Sequence, residues 1–180
     1  TFSLSTSRNI RYQSCRAMGD RSKGEIKACI AADLKVYRER GFEPTEIHAD
    51  GEYNAVKGFF GNVLFSICSA DDHVPEAERA IRSVKETVRA TIHGMSYKRL
   101  PRVMIRDLVE FAARTINMLP SSDGVSGTLS PETIVTGKPK ADYRVMKLEF
   151  GTSVQVYDGM SKDIKSRTLG AIALNCTGNS

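Results

Sequence analysis

The chain has 180 residues, a length that suits one domain with a buried core and leaves room for a small appendage. Hydrophobic residues make up 41% and charged residues 26%, the balance of an ordinary globular protein, and no apolar run approaches the length of a membrane span. A net charge of +5 and a pI near 9.1 permit a polyanionic partner without requiring one.

Phe2, Leu4 and Thr6 alternate with Ser3, Ser5 and Ser7, the period of two that predicts a strand. Residues 10–18 predict a second strand, with Ile10, Tyr12, Ser14 and Arg16 on one face. After a turn at 19–24, residues 25–41 read as a helix. Ile26, Ile30, Leu34 and Tyr37 form its apolar stripe, and Gly41 supplies the stop. A short strand over 45–50 ends at Asp50. Residues 52–62 have room for one or two helical turns, and residues 63–70 form an apolar run of strand length.

The segment 71–95 predicts a long helix. Pro75 suits its first turn, and Asp71, Asp72 and Glu76 set negative charge at the positive end of its dipole. Ala77, Ile81, Val84 and Val88 form an apolar face. Glu78, Arg82, Lys85 and Arg89 repeat that spacing one residue on, so they share a face about 100° around the helix. A second helix over 101–119 ends before Pro120. Residues 121–128 have the composition of a linker, and Ser130, Pro131 and Gly137 mark the cap, first residue and stop of a short helix. Strands are expected near 152–158 and 168–175. The order of elements predicts an α/β protein, a mixed sheet with helices on both faces and a small β-containing appendage.

Cys15, Cys29, Cys68 and Cys176 show no CxxC spacing, and His48, His73 and His93 complete no zinc pattern. Reduced, mostly buried thiols of an intracellular protein are expected. No nucleophile elbow and no phosphate-binding glycine motif is present. Two pairings carry possible chemistry. Asp50 at a strand end and Glu78 in the first turns of a helix are mounted as metal-chelating carboxylates need to be; equally, Asp50 begins a turn and Glu78 is a surface acid. Arg82, Lys85 and Arg89 suit a phosphate backbone; equally, they form a solvated face. Residues 73–114 hold nine Lys or Arg against five Asp or Glu, so the basic excess lies where the acids do.

"HADGEY" followed by "HVPEAERAIRSVKETVRA" resembles the integrase catalytic core of Ty1/copia-type retrotransposon polyproteins, and more narrowly the divergent copia-like elements of algae and related protists. "NMLP", "SGTLSPETIVTGKPKADY", "LEFGTSVQVYD" and "SRTLGAIALNCTGN" resemble the stretch that follows the core. The resemblance implies a ribonuclease-H-like fold and a triad of two Asp and one Glu. That triad binds two Mg²⁺ or Mn²⁺ for DNA 3′-processing and strand transfer. Asp50 matches the second acid and Glu78 the third, with Arg82, Lys85 and Arg89 positioning DNA; Glu52 matches a common acid that is not a ligand. The first Asp has no counterpart, since Asp20 falls in a turn and Asp33 inside a helix. The 27 residues between Asp50 and Glu78 are also fewer than the resemblance implies.

The expectation is therefore a truncated core over residues 1–120, missing its first strand, and a post-core segment over 121–180. It is expected to bind nucleic acid but to be inactive alone. Element-end and target DNA are the implied partners, with no membrane. The parent is expected to form homo-oligomers and to work in the nucleus after a cytoplasmic phase in a particle. The alternative is a non-catalytic nucleic-acid-binding or assembly module, decayed or domesticated.

Overall fold

The computed structural model describes residues 1–68, 74–97, 99–138, 143–157 and 167–175, excluding the side chains of 144 and 145. The chain opens with strands β1 (Phe2–Thr6) and β2 (Gln13–Ala17), which pair antiparallel with Leu4 opposite Cys15. β2 begins later than the sequence suggests, because residues 8–10 turn and Arg11 adopts a φ of 64°. Helix α1 (Lys23–Arg38) follows, its Ser22 hydroxyl accepting from the Glu25 backbone N–H. Ile26, Ile30 and Leu34 are buried as the stripe predicts, and Glu39 rather than Gly41 closes the helix.

Strand β3 (Glu46–Ala49) pairs in parallel with β4 (Leu64–Ile67), and a 3₁₀ helix, Gly51–Phe59, connects them. The connection is more ordered than one or two turns, because buried Val56 ties it to α1. Met18, Ile26, Cys29, Ile30, Leu34, Val56 and Val63 form one core, with Ile47, Tyr53, Phe60 and Phe65 against it. Helix α1 thus lies under both sheets. Among the described residues β1 and β3 each pair on one side only, so the expected single sheet stands as two two-stranded pieces.

The opposite face of the hairpin is covered by α2 (Pro75–Gly94) and α3 (Arg102–Asn117). Leu4 and Cys15 pack with Val84, Val88, Ala112 and Ala113. Most of the expected face of α2 packs inward, with Ala77 and Val88 half-buried, and Ile81 departs from it. Ala80 and Val84 are buried, whereas Ile81 is 41% exposed. The small residues Ala112 and Ala113 of α3 let Val84 pack closely against them and the hairpin. The expected role of Asp71 and Asp72 at the start of α2 lies outside the described residues. No helix among the described residues is long and apolar enough to cross a membrane.

Two polar devices hold the hairpin in place. Asp33 of α1 accepts from Ser5 Oγ at 2.6 Å, Ser14 Oγ at 2.7 Å and Arg16 Nε at 2.6 Å. Buried Asn117 of α3 receives the Gln13 N–H at 2.7 Å and donates to the Gln13 carbonyl at 2.7 Å, closing the outer edge of β2 as a neighbouring strand would.

The rest of the chain leans on this body. Helix α4 (Pro131–Thr136) has Ser130 as its cap and Gly137 at φ 66° as its stop. Arg114 reaches Glu132 at 3.8 Å, and the Val125 N–H donates to the Asn9 carbonyl at 2.8 Å. Phe150 is buried with Met95, Met104 and Leu108. Strands β5 (Ser153–Tyr157) and β6 (Thr168–Ile172) form an antiparallel pair.

Candidate nucleic-acid interface and acidic rim

Parallel pairing sets the geometry of the rim. Ala49 stands opposite Ile67, and the Cys68 N–H donates to the Ala49 carbonyl at 2.9 Å. The exit of β4 therefore lies beside Asp50, and Val74, the cap of α2, is six positions further on. The ends of the two parallel strands share one edge, where α/β sheets place their sites; the start of α2 is held beside the β1–β2 turn, through Arg8 and Glu76.

Asp50 is exposed and caps the 3₁₀ helix, Oδ1 accepting from the Gly51 N–H at 2.6 Å. It is the turn residue that a plain reading expects, and its second oxygen accepts no hydrogen bond among the described residues. Glu78 is an exposed residue in the first turns of α2. Its neighbour Glu76 meets Arg8 at 3.6 Å. The backbone N–H of Glu76 at the helix start holds its carboxyl below the usual range, with Arg8, Arg79 and Arg11 adding to the effect. Glu52 is taken up by Arg21 at 2.7 Å. His48 lies 3.4 Å from Glu46. No group of three or more His, Cys, Asp or Glu side chains among the described residues is arranged to hold a metal ion.

The basic row is the clearest feature of this side. Arg82, Lys85 and Arg89 are all exposed on α2, and none forms an ion pair among the described residues. They span about 10 Å of helix axis at 1.5 Å per residue. One strand of duplex DNA presents roughly three phosphates over that distance at about 3.4 Å each.

A second basic cluster escaped the sequence reading. Lys23 and Lys27 of α1 place their ammonium groups 4.8 and 4.3 Å from the centroid of the Phe59 ring. Phe59 is 51% exposed, while Phe60 turns inward to stack on Phe65. The signal available in the sequence was the adjacent pair Phe59–Phe60, of which a tight helical segment buries only one. The lysines lie more than thirty positions away, beyond the reach of local patterns.

Neither a protein-family model nor a curated protein matches the chain. Among solved structures, the catalytic core domain of BIV integrase is similar, with a TM-score of 0.50 and 14% identity over 74% of this chain and 84% of that one. The likeness is one of fold: this chain has the mixed α/β, ribonuclease-H-like architecture of an integrase catalytic core.

Proposed function

We propose that the chain is a segment of a retroelement integrase core of the Ty1/copia type and that it holds duplex DNA along α2. We further propose that these 180 residues do not carry out strand transfer by themselves. The observation that carries the reading is the exposed row of Arg82, Lys85 and Arg89, which forms no ion pair among the described residues and begins one turn after Glu78 on α2. Element ends and target DNA as ligands, self-association of the parent, a nuclear site of action and a division between residues 120 and 121 belong to the same reading.

Asp50 and Glu78 are the carboxylates that would take Mg²⁺ or Mn²⁺. Exposed oxygen ligands suit a hard cation. A pair of ions about 3.5–4 Å apart needs more bridging and terminal carboxylates than two. With no three-ligand group among the described residues, the described side chains do not by themselves make a two-ion site, and no bond-breaking step is assigned to them. The exposed basic row serves equally the second reading, a non-catalytic nucleic-acid-binding module.

Duplex carrying a labelled 3′ end, incubated with the protein and Mg²⁺ or Mn²⁺, separates these ideas. Neither nicking nor joining is expected. If metal tightens DNA binding in the wild type but not in Asp50→Asn or Glu78→Gln, the acids form a residual integrase-like site. If metal changes nothing in any of them, the non-catalytic module stands. Metal-dependent nicking lost in Glu78→Gln would overturn the proposed inactivity.

A further inference from the structure

We propose that Lys23, Lys27 and Phe59 form a second nucleic-acid site, specific for single strands, on the α1 side of the molecule. It uses different residues and a different form of ligand from the α2 row. Two ammonium groups converge on one exposed ring. Lys23 is the first residue of α1 and Lys27 lies one turn on, so both stand at the positive end of the helix dipole, where cations are disfavoured. Like charges four positions apart add to the disadvantage.

No acid among the described residues forms an ion pair with either lysine. The nearby carboxylates are engaged elsewhere: Glu25 accepts from the Gly19 N–H at 3.3 Å, and Glu52 is held by Arg21 at 2.7 Å. What offsets this charge within the chain is the quadrupole of the Phe59 ring. A phosphate carries a full negative charge and attracts an ammonium group more strongly than a ring face does. Both lysines are exposed on flexible stems. When they swing onto a phosphate, the ring face is released, and a base can stack on it. Charge plus an aromatic platform is the combination that binds single strands. A duplex hides its base faces and offers only the phosphates.

The test uses the full chain and labelled oligo(dT) of about 16 nucleotides. Phe59→Ala is expected to weaken single-strand binding about tenfold, with Phe59→Tyr restoring it. Replacing Lys23 and Lys27 together by Gln is expected to lower the salt slope by about 1.4, at roughly 0.7 per single-strand phosphate contact. The chain contains no Trp, so Phe59→Trp supplies a single reporter whose fluorescence is expected to be quenched by oligo(dT). Gln at positions 82, 85 and 89 leaves that quench in place, so failure of the duplex face leaves this test standing. Unchanged binding by Phe59→Ala or absence of quenching would overturn the site. So would an equal loss of duplex binding in Phe59→Ala, or equal quenching by an acidic peptide.

Discussion

The β1–β2 hairpin uses charge in the opposite way from Asp50 and the basic row of α2. In the hairpin, Asp33 has a side chain only 13% exposed and three donors from two strands upon it. Among the described residues Asp50 bonds only to the next residue's N–H, and Arg82, Lys85 and Arg89 on α2 form no ion pair. A consumed charge positions chain segments; an exposed, unconsumed one acts on what lies outside. The contrast separates acids that make the fold from groups that meet a ligand.

The largest expected effect breaks the hairpin side. Asp33→Ala leaves two hydroxyls and a guanidinium without their acceptor and is expected to destabilise by about 2–4 kcal/mol. Asn117→Leu strands the buried N–H and carbonyl of Gln13 and is expected to fall in the same range. Urea unfolding measures both. If either changes the midpoint no more than Asp50→Asn does, the contrast is wrong.

A second expected effect sharpens the same side through pH. Burial pushes the Cys15 thiol up to about 12, with Glu110, Asp33 and Cys29 adding to it. Burial likewise pushes the Tyr37 hydroxyl up to about 12. Each group is neutral when protonated and has its folded pKa raised, so the unfolded chain loses these protons first as pH rises. Their contribution to stability is whole below the unfolded values, about 9 for Cys and 10 for Tyr, and declines toward 12. The urea midpoint is expected to fall once pH exceeds about 9. Cys15 is also expected to resist thiol reagents until the chain unfolds.

The smallest expected effect lies at the rim. Asp50→Asn keeps an oxygen for the Gly51 N–H and is expected to shift stability by no more than about 0.5 kcal/mol. A larger loss would make Asp50 a structural residue and remove it from the site.

Much of this division was legible in the sequence, and the exceptions share a cause. The caps of α4 and the charged row of α2 depend on neighbours within four residues, and the local pattern located them. The role of Asp33 did not show, because its partners lie 17 to 28 positions away on strands that must first pair. As a residue inside a helix it looked idle. On α2 the pattern located Val84 and Val88 but put Ile81 inside in place of Ala80, because which flank of the face is covered depends on how α3 and the hairpin pack against it. The basic–aromatic cluster needs α1 and the Gly51–Phe59 helix side by side, which only the tertiary structure supplies.

The most direct test of the central claim is duplex DNA affinity as a function of salt, for the wild type and for the variant with Gln at positions 82, 85 and 89. The wild type is expected to bind at low salt and to weaken steeply as salt rises. The variant is expected to show a log–log slope shallower by about 2.7, at roughly 0.9 per phosphate contact. Equal slopes, or no duplex binding by the wild type at low salt, would contradict a DNA-holding face on α2.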